Sequence, residues 1–215
     1  MSLIRKWKNR FDEKRIAKLV LPFTLVGPER VQNLYRLAQR IEEEEISGDV
    51  VECGVYNGGT AAVLARVATH SRLRRTVWLF DSFQGMPRTT EVDGEEAQKY
   101  IGEVRGSCDQ VRSLLQRTGS DLSRVQIVEG LFQETFSTIQ IPKIALLNID
   151  ADWYESVKLC LEKFYDSVVP QGFISLDDYG HWPGCRRAVD EYFEKRGLSY
   201  PLRNVDYTAR WFQKS

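Results

Sequence analysis

The chain has 215 residues, a formal net charge of zero and 42% hydrophobic residues, as expected for one soluble globular domain. The balanced charge gives no reason to expect a nucleic-acid partner. The longest apolar runs, such as residues 144–149, are too short to span a membrane, and the N-terminal residues lack the unbroken apolar region of a secretory signal. Four scattered cysteines without a C-x-x-C pair favour a reducing, cytoplasmic setting.

The N-terminal residues differ from the rest and are predicted to form a helical extension over residues 1–26. Apolar side chains recur there with helical spacing among lysines and arginines, at Trp7, Phe11, Ile16, Leu19 and Val20. This pattern favours a helix packed on the domain or on a second subunit, and a helix on a membrane surface is the alternative. The main domain is then expected over residues 27–215.

Strands and helices are predicted to alternate through this domain. The helices are predicted over residues 29–45, 60–68, 98–118, 154–164 and 185–196, the third of them either continuous or interrupted near Gly106. The strands are predicted over residues 49–53, 76–80, 125–129, 144–149, 173–176, 198–203 and 208–213. This alternation predicts an α/β, Rossmann-like fold with a mostly parallel seven-stranded sheet and helices on both faces. The last two strands are expected to form an antiparallel C-terminal hairpin.

A long polar segment, residues 87–106, interrupts the regular alternation and carries little that could be buried. A segment of this kind after a strand is either a mobile lid over a site or a solvated loop. The two interpretations are equally good from the sequence.

Two motifs follow the first two predicted strands, where open α/β sheets bind ligands. VVECGVYNGGT (residues 50–60) is a glycine-rich turn without the G-x-G-x-x-G pattern, and its Glu52 suits an ammonium group such as that of S-adenosylmethionine (SAM). A purely structural turn is an equally common explanation. In FDSFQGMP (residues 80–87), Asp81 can accept hydrogen bonds from both ribose hydroxyls or cap a turn, and the spacing of the two motifs favours ribose. Gly130, after the third strand, would then border the adenine.

Carboxylates follow the fourth and fifth strands, which are neighbours in this kind of sheet. Asp150 lies in LNIDADWYES, and Asp177 and Asp178 lie in ISLDDYG. Like charges brought together resist ionisation unless a cation joins them, and oxygen ligands without Cys or His indicate Mg²⁺. Asp152 is either a fourth ligand or, more in keeping with its position, the cap of the following helix.

In this order, the strings VVECGVYNGGT, TVWLFDSFQGMP, LNIDADWYES and LDDYGHWPGCRRAVDEY resemble the macrocin O-methyltransferase (TylF-like) family, over roughly residues 27–211. The resemblance implies a class I SAM-dependent methyltransferase, Mg²⁺ dependence and methylation of a sugar hydroxyl in natural-product biosynthesis, by a protein that is commonly a homodimer. It makes Asp150, Asp177 and Asp178 the metal ligands, with Asp150 also the base. The expected SAM contacts are Glu52, Gly54, Tyr56, Gly58, Asp81, Ser82 and Gly130.

The acceptor is the part of the function that the sequence determines least. A vicinal diol, as in a sugar or other polyol, could bind the metal with both oxygens, and His181 is a candidate acceptor contact or a polar residue on the rim of the site. Tyr154 and Tyr179, together with Trp153 and Trp182, could wall the acceptor pocket, although packing explains these aromatic residues as well. His181 is alternatively a base. A catechol-type O-methyltransferase and a non-catalytic SAM-binding protein are the alternative functions, whereas the missing dinucleotide motif disfavours an oxidoreductase.

Overall fold

The computed structural model describes residues 3–215, with side chains from Asp12 onward. The helices are α1 (Leu3–Val20), α2 (Pro28–Glu43), α3 (Gly59–Thr69), α4 (Cys108–Arg117), α5 (Phe132–Thr135), α6 (Tyr154–Phe164) and α7 (Pro183–Lys195). The strands are β1 (Asp49–Cys53), β2 (Val77–Asp81), β3 (Val125–Glu129), β4 (Ile144–Ile149), β5 (Val168–Leu176), β6 (Arg203–Asn204) and β7 (Arg210–Gln213). No helix in this described part is long and apolar enough to cross a membrane.

The strands form one seven-stranded sheet in the order β3-β2-β1-β4-β5-β7-β6. The first five strands of that order are parallel, and β7 pairs antiparallel with both β5 and β6. The predicted α/β fold with a C-terminal antiparallel hairpin is therefore confirmed. The direction of strand succession reverses between β1 and β4, which is the place where such sheets bind ligands beyond the carboxyl ends of the strands.

Apolar clusters cover both faces of the sheet. One cluster joins the inner sides of α1 to α4 to one face, and the other joins α6, α7 and the region of α5 to the opposite face. The buried residues of β4 are apolar except for Asn148, as expected for a central parallel strand that is covered on both faces. The sheet is therefore a rigid base for the loops at its carboxyl edge.

The described part of the predicted N-terminal extension packs into the same core. Ile16 and Val20 are buried in the first apolar cluster, together with helices α2 and α3. Asp12 pairs with Arg66 of α3 at 3.6 Å. The side chains of Trp7 and Phe11, which were part of the predicted apolar face, lie outside the described side chains.

The structure corrects several predicted boundaries. The helix predicted over residues 98–118 is a short 3-10 turn, Ala97–Tyr100, then a loop and α4, because Ser107 caps the true helix start by accepting a hydrogen bond from the Gln110 N–H. Strand β5 begins at Val168, five residues before the predicted start, since Pro170 and Gln171 are tolerated at its exposed beginning. The short helix α5 has no counterpart among the predicted elements.

Candidate active site

A cavity of about 290 Å³ opens at the carboxyl edge of the sheet, at the reversal point between β1 and β4. Residues that follow β1, β2, β3, β4 and β5 all line it. The predicted SAM contacts on its wall are Gly54, Tyr56, Asp81, Ser82 and Gly130, and the predicted metal ligands on its wall are Asp150, Asp177 and Asp178. The topology thus brings the motifs of the sequence into one cavity.

The glycine-rich turn after β1 needs its glycines for two reasons. Gly54 has a φ of +89°, and a Cβ on it would overlap the backbone carbonyl of Asp150 at the end of β4. Gly58 has a φ of +88° and precedes the first residue of α3. These positions favour glycine because L-residues with a side chain rarely adopt such backbone angles. The turn therefore brings the backbone after β1 against the end of β4.

Asp81, the last residue of β2, holds this turn in place. Its Oδ2 accepts hydrogen bonds from the backbone N–H groups of Val55 and Tyr56 at 2.7 and 2.8 Å, and its Oδ1 accepts one from Phe83 at 2.7 Å. A carboxylate offers about four acceptor sites, so about one is left for a hydroxyl donor. The predicted cap and the predicted ribose contact are compatible roles of one side chain.

Asp150, Asp177 and Asp178 form the carboxylate cluster, in which one oxygen atom of each side chain lies within 4.8 Å of the others. Strand pairing fixes two of these residues: the Asp150 N–H donates to Cys53 O at 2.8 Å, and the Asp177 N–H donates to Ile149 O at 2.9 Å. Burial and then the charges of Asp177 and Asp178 raise the pKa of Asp150 well above its usual range. Burial also raises the pKa of Asp177, to about 6, although Arg30 opposes the rise.

Arg30 in the first turn of α2 is a member of the site that the sequence did not indicate. Its Nη1 donates to Asp177 Oδ2, and its Nε lies 3.1 Å from Asp206 Oδ2 in the hairpin between β6 and β7. Arg30 also lines the cavity. No local pattern in the sequence relates an arginine at position 30 to an aspartate 147 residues later.

Comparison with known proteins agrees with this geometry. The family model described as Macrocin-O-methyltransferase (TylF) matches residues 5–214. The chain belongs to the macrocin O-methyltransferase family. This confirms the family predicted from the sequence motifs.

Two curated relatives and one solved structure show how close the similarity is. The chain is 32% identical over 192 residues to 8-demethyl-8-(2,3-dimethoxy-alpha-L-rhamnosyl)-tetracenomycin-C 4'-O-methyltransferase of Streptomyces olivaceus, covering 86% of this chain and 73% of the relative. It is 32% identical over 205 residues to demethyldecarbamoylnovobiocin O-methyltransferase of Streptomyces niveus, covering 89% and 76%. The structure of the O-methyltransferase NovP superposes with a TM-score of 0.78 at 28% identity, covering 90% and 82%. The protein is therefore a methyltransferase, and family and fold support SAM as its methyl donor.

In this methyltransferase, Glu52 lies beneath the cavity wall and not on it. The side chain is fully buried, and its Oε1 accepts a hydrogen bond at 3.0 Å from Asn148 Nδ2, its register partner on β4. Glu52 Oε2 and Asn148 Oδ1 have no hydrogen-bond partner among the described residues. Contact between Glu52 and the ammonium group of SAM stays a prediction. Tyr56 and Thr60 are the polar side chains of that motif that line the cavity.

The burial of Glu52 leads to a pH-dependent stability. Burial raises the pKa of Glu52 from 4.5 to about 8, so the folded state holds a proton that the unfolded state loses above pH 4.5. Stability supplied by this group is complete below pH 4.5 and decreases as the pH rises towards 8, by about 1.4 kcal/mol per pH unit where only the folded state is protonated. We expect E52Q to reduce the fall in unfolding free energy between pH 5 and 8, as measured by urea denaturation in a chelator.

The exposed Glu95 provides the control, because E95Q should keep the wild-type pH dependence. The buried aspartates of the cluster also make the unfolding free energy fall as the pH rises, and they do so equally in all three proteins. Superimposable pH profiles for wild type and E52Q would show that Glu52 is ionised in the folded protein.

Asp152 does not cap α6, contrary to the favoured prediction. Its Oδ1 accepts a hydrogen bond at 3.0 Å from Trp182 Nε1, and it is outside the group of aspartates whose oxygens converge. The first N–H of α6, that of Tyr154, donates instead to Asp93 Oδ1 at 2.7 Å. An acceptor from a segment some 60 residues earlier thus replaces the local cap.

Asp93 belongs to the polar segment over residues 87–106, which is anchored at several places. Asp93 is only 1% exposed, and Gly184 at the start of α7 lies so close that a Cβ would overlap Asp93 Oδ1. Trp153 Nε1 donates to Pro87 O at 3.2 Å, and the Met86 N–H donates to Glu103 O at 2.9 Å. The expectation that this segment buries almost nothing is therefore wrong at Asp93, which joins it to the starts of α6 and α7.

The predicted acceptor contacts His181, Tyr154 and Tyr179 are absent from the cavity wall. His181 is exposed and its Nδ1 shares a hydrogen bond with the Tyr207 hydroxyl at 2.5 Å. The Tyr154 and Tyr179 hydroxyls donate to Glu191 Oε2 and Asp190 Oδ1, at 2.5 and 2.8 Å. A direct contact of these side chains with the acceptor stays an untested prediction without support from this geometry.

Other residues line the side of the cavity that the sequence did not resolve. They come from the segment before α2, from the polar segment, from α5 and its preceding loop, and from the start of α7, namely Thr24, Leu25, Val26, Tyr100, Val104, Leu131, Phe132, Gln133 and Trp182. Trp182 stacks edge to face on Trp153 at 4.9 Å and on Tyr100 at 5.6 Å. Trp182 is a candidate wall of the acceptor pocket from the sequence, and it does line the cavity, whereas the second candidate, Trp153, packs behind it.

Proposed function

We propose that this methyltransferase transfers the methyl group of SAM to a hydroxyl of a sugar carried on a larger, partly apolar natural product, in a reaction that depends on Mg²⁺. The observation that carries the proposal is the position of the carboxylate cluster, on the same cavity as the glycine-rich turn and Asp81. Donor and acceptor sites can therefore share one enclosure, as methyl transfer requires.

The carboxylate cluster fits a hard divalent cation. Three carboxylate oxygens converge without a cysteine or histidine among the described residues, and oxygen ligands of this kind suit Mg²⁺. When bound, the cation would lower the pKa of an acceptor hydroxyl and fix the direction of its oxygen. Asp150 then holds the hydroxyl proton, while the acceptor oxygen forms its bond to the methyl carbon and the bond from that carbon to the sulfonium sulfur breaks.

The side chains at the mouth of the cavity favour a glycoside over a nucleotide sugar as the acceptor. Leu25, Tyr100, Val104 and Leu131 line it and are 66%, 38%, 36% and 38% exposed. Arg30 is the one basic side chain among the described residues of the wall, and it is already paired with Asp177. A diphosphate would find no unpaired basic side chain among these described residues, whereas an apolar carrier would cover the exposed side chains.

The relatives support the same class of acceptor. One of them is named for a rhamnosyl-tetracenomycin and another for demethyldecarbamoylnovobiocin. For the present chain, a sugar hydroxyl on an apolar carrier remains our proposal, with a catechol as the alternative acceptor.

The proposal is tested by binding and turnover together. We expect calorimetry to detect S-adenosylhomocysteine and then Mg²⁺ in the wild type, and the D178N variant to keep the first and lose most of the second. D190N, which changes an exposed aspartate of α7, is the control. Methylation of a phenyl rhamnoside would support the acceptor class, whereas turnover on catechol alone would contradict it. Mg²⁺-independent turnover would contradict the role of the cluster.

A further inference from the structure

The carboxylate cluster is built with a cation of its own, the guanidinium of Arg30. Asp177 is 4% exposed and Asp178 7% exposed, so water screens their charges poorly. Buried like charges destabilise a folded protein unless a counter-charge lies close to them. The Arg30 Nη1–Asp177 Oδ2 contact supplies that counter-charge from helix α2.

Asp206 lies on the other side of the guanidinium and pairs with it by charge, without a hydrogen bond to Arg30 Nε. Its Oδ2 lies 3.1 Å from Arg30 Nε, and its Oδ1 accepts the N–H groups of Thr208 and Ala209 at 2.9 and 2.8 Å. Asp206 is therefore held rigidly by its own turn, and its side chain is 25% exposed. Arg30 is kept beside the cluster by a residue that is not itself part of the cluster.

We propose that Arg30 is the resident counter-ion of the carboxylate cluster, which keeps the protein folded without metal and weakens the binding of a divalent cation. This inference rests on the metal site of the proposed function. One guanidinium and one divalent cation carry three positive charges, against three negative charges of the cluster and a fourth on Asp206. Arg30 is thus a positioning residue that acts through Asp177, and two opposite effects of its removal follow.

Removal of Arg30 should destabilise the metal-free protein and tighten metal binding. In R30M, the cluster loses its one adjacent cation among the side chains that the structure describes, so we expect a lower melting temperature in a chelator and Mn²⁺ binding that is about tenfold tighter. R30K keeps the charge and should restore the melting temperature to near the wild-type value. D206N removes a negative charge near the cluster, so we expect it to change the Mn²⁺ affinity in the opposite direction, towards weaker binding.

The experiment combines scanning fluorimetry in a chelator with titration of Mn²⁺ followed by the electron paramagnetic resonance of the free ion. R36M is the matched control, because Arg36 lies on the same helix with its side chain 65% exposed. Two results for a folded R30M would overturn the inference: a melting temperature and Mn²⁺ affinity equal to those of R36M, or a loss of Mn²⁺ binding. If R30M does not fold, unchanged Mn²⁺ affinity in D206N overturns it.

The same data separate this inference from the proposed function. If wild-type protein binds no Mn²⁺, the metal part of the proposed function fails. The role of Arg30 is then decided by the metal-free melting temperatures alone, where equality of R30M and R36M overturns it and a selective loss in R30M supports it.

Discussion

Replacement of Asp150 by asparagine is expected to lower kcat by about 10³-fold, because a positioned base contributes an effect of this size. Asparagine has nearly the same shape, and the backbone N–H that pairs with Cys53 O is unchanged, so the fold and the glycine-rich turn should persist. The side chain can no longer take a proton and loses its negative charge. We therefore expect weaker Mg²⁺ binding, with S-adenosylhomocysteine affinity close to that of the wild type.

D152N is the matched control for D150N. Asp152 is two residues away and lines the same cavity, but its oxygens are not part of the cluster. Asparagine at position 152 can still accept the hydrogen bond from Trp182 Nε1. Single-turnover assays with saturating donor should give D152N within about tenfold of wild type. Activity of D150N in that range would exclude Asp150 as base.

Replacement of Asp93 by alanine is expected to destabilise the protein by about 2 kcal/mol, since it removes the acceptor for a helix N-terminal N–H group. Thr90 loses its partner as well, because its N–H and hydroxyl both donate to Asp93 Oδ2, at 2.7 and 2.8 Å. The polar segment would then be released from α6 and α7. Trypsin should cut it at Arg88, Lys99 or Arg105, each of which it carries.

We expect D93A to lower the catalytic rate as well as the stability, because Tyr100 and Val104 of the segment line the cavity. Misplacement of residues that orient an acceptor can cost about 10²-fold in rate. E95A, which changes an exposed carboxylate of the same segment, should remain as protease-resistant and active as wild type. Added donor and acceptor should protect the wild-type segment further if it closes over them. A D93A variant that resists trypsin like E95A would show that Asp93 does not anchor the segment.

The fold could be predicted from the sequence because its signals are local. The fully buried strand β4 is an apolar run, and Gly58 directly precedes α3, which begins at Gly59. The alternation of apolar and polar residues, together with the turn residues, therefore predicted most of the elements. The prediction failed where a local signal was ambiguous. The run over residues 98–118 contains enough helix-forming residues to suggest one helix, and the sequence left open whether Gly106 interrupts it. In the structure Gly106 packs on the Tyr56 backbone, and the helix begins only at Cys108.

The site was predictable only in part, for the same reason. Asp81, Asp150, Asp177 and Asp178 directly follow or end strands, and parallel strands bring their carboxyl ends to one edge, so convergence follows from the order of elements. His181 also lies in a motif near this edge, yet its side chain is directed to Tyr207 and away from the cavity. Nearness in sequence to a motif does not set the direction of a side chain.

By itself, the sequence determined the family, the parallel sheet and the carboxylates at its edge, because each depends on contiguous motifs and on the periodicity of buried residues. Only the tertiary structure decided that Arg30 pairs with Asp177 and that Asp93, not Asp152, accepts the first N–H of α6. Both contacts join segments that are distant along the chain. Long-range pairs of this kind depend on how helices and loops pack on the sheet, which no local pattern of residues records.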